Sequence, residues 1–115
     1  MQDEQDVEKI RQYYRIKYPH FYRPKIKIRG GDNESDVIEL SERGVRFLYK
    51  GTRQLSKGLK LHVTIIFYDG KAFQFAGELL RVEGKDVILR FLGNLPLSRI
   101  IKEQIYLISR TIGHL

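Results

Sequence analysis

Hydrophobic and polar positions alternate with period two along most of this chain, and six stretches carry the pattern. Lys25-Ile-Lys-Ile-Arg29 sets Ile26 and Ile28 on one face and its cations on the other. Asp36-Val-Ile-Glu-Leu40 is a second short strand, and Val45, Phe47 and Tyr49 alternate next. Leu61, Val63, Ile65 and Phe67 make the clearest strand. Phe73, Phe75, Gly77, Leu79 and Arg81 share one parity, and Val87, Leu89 and Phe91 close the series. Between them lie Gly30-Gly-Asp-Asn33, Ser41-Glu-Arg-Gly44, a polar loop from Lys50 to Gly58, the hairpin signal Asp69-Gly70, and Glu83-Gly-Lys85. Strands separated by turn signals every eight to twelve residues or so predict a small antiparallel β-barrel, a mainly β fold. Gly77, in mid-strand, predicts a bulge or a sharp barrel bend.

The tail changes period. After Asn94-Leu-Pro96, Ile101, Ile105, Ile108 and Ile112 recur at three and four, with Lys102, Glu103 and Arg110 off that stripe. Pro96 suits the first turn of a helix. The expectation is one C-terminal helix of roughly 14 residues, docked on the barrel by its isoleucine face. At the other end, residues 1–15 read as a loosely ordered start with a weak helical turn or two (Val7, Ile10, Tyr14), and Pro19 and Pro24 then favour extended backbone.

Composition narrows the class. A chain of 115 residues is one domain, here divided into a flexible N-terminal extension over residues 1–8 and a folded unit over residues 9–115. With no cysteine there are no disulfides, thiolate metal sites or cysteine nucleophile, which fits a reducing compartment. No apolar run approaches the roughly 20 residues of a membrane span, and the acidic start Met1-Gln-Asp-Glu-Gln-Asp6 is unlike a signal peptide. A cytoplasmic protein without membrane insertion is the economical reading. The formal net charge of +7 is unevenly spread: eight cations lie between Lys9 and Arg29 with no acid among them. Such a single-sign block is either a solvated basic face or a docking field for an anion.

Two motifs bear on which anion. Arg11-Gln-Tyr-Tyr-Arg15 is an R-x-x-x-R ahead of the first strand, and Glu39-x-Ser41-x-x-Gly44 spans the turn between the second and third. A guanidinium matches the N7 and O6 acceptors of guanine bidentately and pairs equally well with two phosphate oxygens. A carboxylate accepts from the guanine N1–H and N2 amine, a hydroxyl serves in either role, and glycine lets backbone approach closely. Together they suit a small, doubly anionic ligand with purine edges. Either motif alone is what a basic surface or an ordinary turn carries by chance; their order and spacing within a six-strand-plus-helix outline is more specific.

On these residues the chain resembles the PilZ domain, a bacterial receptor module for cyclic di-GMP. That family carries R-x-x-x-R near its N-terminus and [D/N]-x-S-x-x-G on a barrel strand. Phe75-Ala-Gly-Glu-Leu-Leu-Arg-Val82 and Val87-Ile-Leu-Arg-Phe91 are similar to two further strands of the family, and the likeness spans roughly residues 9–111. It implies a six-stranded antiparallel PilZ-type β-barrel followed by a helix, with a flexible N-terminal segment. It also implies a ligand site in which Arg11 and Arg15 grip guanine and phosphate, Glu39 takes the second base beside Ser41, and Gly44 gives the turn. The implied ligand is cyclic di-GMP, with no other cofactor and no metal. The implied output is a conformational signal to an unidentified downstream protein controlling motility, biofilm, exopolysaccharide or virulence. Glu39 departs from the family's Asp or Asn, carrying its carboxylate about 1.5 Å further along the strand. The alternative is therefore a PilZ-like adaptor that binds protein, with weak or no nucleotide binding.

A third reading is a small barrel that binds RNA or single-stranded DNA. Tyr13, Tyr14, Tyr18, Phe21 and Tyr22 are interleaved with cations, as in sequence-indifferent stacking grooves. Packing of Tyr14 and Phe21 on the barrel ranks ahead of it, which makes nucleic acid the less favoured partner. Catalysis has no support: His20, His62 and His114 lack metal-ligand spacing, Ser41 has no histidine near it in sequence, and no glycine-rich phosphate loop opens a helix. The chain reads as a binder, of undetermined oligomeric state.

Overall fold

The structure, a computed structural model, describes residues 15–31 and 33–112, without the side chains of Thr111 and Ile112. Among the described residues seven strands precede one helix: β1 (Ile16–Lys17), β2 (Lys25–Ile28), β3 (Ser35–Leu40), β4 (Gly44–Leu48), β5 (Lys60–Ile66), β6 (Ala72–Glu83), β7 (Asp86–Phe91) and α1 (Leu97–Ile112). A single 3-10 turn, His20–Tyr22, lies between β1 and β2. All pairings are antiparallel, in the order β3-β2-β5-β6-β7-β4, and β4 returns to β3. Six strands thus form a closed barrel, as the alternation predicts. β1 is a further short strand: β2 pairs with Ser35 and Asp36, and β1 takes up the same edge of β3 at Glu39 and Leu40. Its two residues are too few to leave a period-two signal.

The inward positions fill the barrel with Ile26, Val37, Phe47, Ile65, Leu79, Val87 and Leu89, all essentially without solvent contact. Two bulges interrupt the alternation. One falls at Ile38, between the pairs Val37–Phe47 and Glu39–Arg46; the other at Leu80, between Leu79–Leu89 and Arg81–Ile88. Each inserts one residue and so exchanges the faces of everything beyond it. Arg81 therefore turns out to solvent and Val82 packs inward. The bulge expected at Gly77 sits three residues later. Gly77 instead permits a close approach, since a Cβ there would lie 2.7 Å from the Arg90 carbonyl oxygen and from Leu89 Cγ.

α1 covers part of the barrel, but not with the face its isoleucines suggest. Ile100 and Glu103 are buried and Leu107 packs against the core, whereas Ile101, Ile105 and Ile108 are exposed. A glutamate on the inward stripe is tolerated because its partner comes from across the chain: Tyr18 Oη donates to Glu103 Oε1 at 2.8 Å. Arg99, 5% exposed, lies 3.8 Å from Glu103 Oε2 and 3.1 Å from Asp69 Oδ2, with its guanidinium over the rings of Phe67 and Phe73. Lys102 reaches the same Asp69 oxygen at 3.1 Å. Burial raises the pKa of Glu103, and burial beside that carboxylate raises the pKa of Tyr18. Burial works against ionised Asp69, yet hydrogen bonds from Lys102, the Lys71 N–H and Arg99 hold its carboxyl down to about 2. The hairpin-tip Asp69 is thus the anion that seats the helix.

The expected packing of Phe21 on the barrel also fails. Phe21 is 88% exposed, and Tyr18 is the buried aromatic of this segment. No described helix is long and apolar enough to cross a membrane.

Candidate ligand site

The bulge at Ile38 aims the site. Val37 points into the barrel, and strict alternation would send Glu39 after it; one extra residue sends Leu40 inward and leaves Glu39 on the outer wall. Beyond Leu40 the chain turns through Glu42 and Arg43, with Ser41 N–H donating to the Gly44 carbonyl at 3.0 Å. The Ser41 hydroxyl accepts from the Arg43 N–H at 3.3 Å and donates to the Gly44 carbonyl at 3.4 Å, a local serine turn. Two carbonyls of this turn are held from outside: Phe91 N–H donates to Arg43 at 2.7 Å and Leu95 N–H to Glu42 at 2.8 Å. The turn is pinned between β7 and the approach to α1.

Gly44 serves a different purpose from the one its motif implies. Its φ is not positive, so the turn itself does not require glycine. A Cβ there would lie 2.7 Å from the Leu89 carbonyl oxygen, so Gly44 allows β4 to press close against β7.

Arg15 enters from the other side. β1 runs Ile16 opposite Leu40 and Lys17 opposite Glu39, and one more step of that register sets Arg15 opposite Ser41. Across the wall the succession continues from Ser41 to Gly44 to Arg90, with a neighbouring one from Glu39 to Arg46 to Ile88. Arg15, Glu39, Ser41 and Gly44 all line one cavity of about 280 Å³, floored by Ile88 and Leu89 and edged by the bulged Leu80. Four of the five residues expected at the site are thereby brought together; Arg11 lies outside the described residues.

Three arginines not anticipated from the sequence line the same cavity: Arg43, Arg46 and Arg90. Arg46 is clamped by Asp86, with Nε to Oδ1 at 2.8 Å and Nη2 to Oδ2 at 2.6 Å, and its Nη1 lies 3.6 Å from Glu39 Oε1. The Asp86 hydrogen bonds raise the Arg46 pKa, and the same bonds lower that of Asp86. Arg90 lies 3.4 Å from Glu78. Arg15 and Arg43 have no ion pair with any described residue, which leaves two guanidinium groups uncommitted at the rim. Arg43 was readable, standing inside the Glu39-to-Gly44 motif. Arg46 and Arg90 were not, because only the pairing of β4 with β7 brings them there.

A concave outer wall with four guanidinium groups, one carboxylate and one hydroxyl can hold a compact anion that offers hydrogen-bond donors to Glu39. The PilZ domain family model matches residues 9–106. This chain belongs to the PilZ family. Its barrel and C-terminal helix are therefore those of a PilZ domain. Among solved structures, this PilZ chain is similar to the Legionella uncharacterized protein Lpg0364, at 17% identity over 89% of this chain and 97% of that one, with a TM-score of 0.49. No curated protein matches it.

Proposed function

We propose that this PilZ domain is a cyclic di-GMP receptor of the bacterial cytoplasm, a binding module and not an enzyme. The observation that carries the reading is the convergence of Arg15, Glu39, Ser41 and Gly44 on one cavity, from two segments that meet only through the β1–β3 pairing. The ligand carries two phosphates, and the two uncommitted guanidinium groups, Arg15 and Arg43, supply one fork for each. Glu39 accepts from the N1–H and N2 amine of a guanine, at a position braced by Arg46 and Asp86. Arg11, four residues before Arg15, joins from the leader and stacks on or pairs with the second base. Fixing the leader's backbone opposes binding by about 1–2 kcal/mol per residue ordered. Charge-assisted hydrogen bonds of about 1.5–3 kcal/mol each offset it. The ordered leader then gives a downstream protein a surface to read.

Calorimetric titration of the folded protein tests this. Saturable binding at micromolar or tighter affinity is expected for cyclic di-GMP and not for GTP or GMP, with loss in Arg15→Ala. Absence of saturation with the wild-type chain removes the proposal.

One observation favours the adaptor as the second reading: Glu39, one methylene longer than the family's Asp or Asn, already engages Arg46 at 3.6 Å. Glu39→Asp separates the two. A gain in nucleotide affinity marks a weakened receptor; unchanged lack of binding marks the adaptor.

A further inference from the structure

We propose that the outer faces of β2 and β5 form a track for single-stranded RNA, on a different wall of the barrel from the ligand cavity. Of the eight cations between Lys9 and Arg29, the ligand reading uses only Arg11 and Arg15. Arg23, Lys25, Lys27 and Arg29 alternate with the buried Pro24, Ile26 and Ile28. That alternation sends all four cations outward, at intervals of about 6.6 Å over roughly 20 Å of extended chain. Pairing sets β5 beside them, Lys25 opposite Ile66 and Lys27 opposite Thr64. The same register carries Arg29 to His62, whose carbonyl accepts the Arg29 N–H at 2.8 Å, and Arg23 toward Tyr68. A row of cations thus runs alongside a row with a ring at each end.

Two hollows lie along this track. One, of about 280 Å³, is lined by Phe21, Arg23, Tyr68 and Tyr106, among others; the second, of about 540 Å³, by Lys27, Arg29, His62, Thr64 and Gln74. No described carboxylate lines either, and neither shares a residue with the cavity that holds Arg15 and Glu39. Carboxylates touch the row only from its β3 flank. There Asp36 takes a bond from Lys25, and Glu34 lies 3.3 Å from Lys27; both lysines remain about half exposed. Arg23 and Arg29, at the two ends, have no ion pair with any described residue, and Arg23 Nε is buried without an acceptor.

The rings select the polymer. Phe21 is 88% exposed at the rim of the smaller hollow, and Tyr68, 43% exposed, is held flat against Tyr106 at 3.7 Å. Bases stack on such rings while phosphates pair with neighbouring cations, which is how single strands are bound without sequence preference. An acidic peptide would satisfy the cations and leave the rings idle. A lipid surface is flat and cannot fill two hollows. Between the cations stand the Thr64 hydroxyl and, opposite it, the Gln74 amide, which accept as well as donate. A ribose 2′-hydroxyl matches groups of that kind and deoxyribose has none to offer.

The test follows the anisotropy of a fluorescein-labelled uridylate dodecamer against the full chain, without cyclic di-GMP. Saturable binding is expected, with affinity falling as salt rises by about 0.7 in log–log slope for each phosphate neutralised, so about 2.8 for four. Arg23→Ala and Arg29→Ala combined should reduce that slope by about 1.4. Phe21→Ala should weaken binding about fivefold or more and leave the slope unchanged. Arg81→Gln removes an exposed cation elsewhere on the barrel and should leave binding intact. The matching deoxyuridylate should bind more weakly, and excess cyclic di-GMP should not compete. Circular dichroism verifies that each variant is folded. The proposal is overturned by no binding, by equal loss in Arg81→Gln, by indifference to Phe21→Ala, or by equal affinity for the deoxyuridylate. It is equally overturned if cyclic di-GMP or a polyglutamate peptide displaces the RNA, or if phosphatidylglycerol vesicles, and not the RNA, bind in a Phe21-dependent way. Because the probe titration contains no cyclic di-GMP, its failure leaves the ligand reading untouched.

Discussion

Gly44→Ala sets two physical effects against each other at one atom. In an unstrained position the added methyl stabilises by about 0.4–1 kcal/mol, because the unfolded chain loses freedom. Here it meets the Leu89 carbonyl oxygen at 2.7 Å and Arg90 Cα at 3.6 Å. Restoring ordinary contact, about 3.4 Å or more, moves β4 from β7 by most of an ångström, against backbone and not a side chain that can swing aside. Overpacking of this kind costs about 1–3 kcal/mol. The shift also strains the Phe91-to-Arg43 hydrogen bond beside it, worth about 1 kcal/mol. The sum is a destabilisation of about 1–3.5 kcal/mol, each kcal/mol lowering Tm by about 4–8 °C in a domain near this size. Urea and thermal unfolding measure it, with Gly93→Ala as the paired control, since nothing lies within 4 Å of a Cβ there and its φ is not positive. The control should be neutral or slightly stabilised. If Gly44→Ala matches the control, the close approach of β4 to β7 is not what selects glycine.

Three further outcomes are expected. Tyr18→Phe leaves Glu103 Oε1 buried without its donor, and should lower stability in urea by about 1–3 kcal/mol; a change below about 0.3 kcal/mol would contradict the burial of that bond. Asp69, held at about 2 when folded, contributes stability that is present above its unfolded pKa and lost as pH falls through about 2; Asp69→Asn should therefore flatten the acid limb of the stability curve between about pH 4 and pH 2, and an unchanged slope would refute the assignment. Asp86→Asn removes the anion that clamps Arg46 and braces Glu39, and should weaken cyclic di-GMP about tenfold with little effect on folding; equal affinity would free Glu39 from that role.

The barrel strands are legible in the sequence because a one-sided sheet writes its burial as period two, and Ile26, Phe47, Ile65 and Leu89 all fall on that period. The helix is legible in extent and not in orientation. Its isoleucines form the most regular stripe, yet Glu103 faces inward, held by Tyr18 from 85 residues away, and local periodicity carries no information about a partner so remote. The site divides in the same way. Ser41, Gly44 and Arg43 are contiguous enough to be read as a motif, whereas Arg46 and Arg90 reach the cavity only through strand pairing. Nor does alternation announce the inserted residue at Ile38, which decides that Glu39 faces out.

Among the described strands β3 alone has three partners: β4 along one edge, and β2 and β1 sharing the other. The ring of six closes without β1, yet Ile16 of that two-residue rung is buried in the core beside Tyr18, so the segment that presents Arg15 is seated by the barrel itself. On the proposed reading, mutational drift at exposed Arg15 retunes sensitivity to a messenger while drift at its neighbour Ile16 erodes the core, so sensing and architectural integrity lie one residue apart.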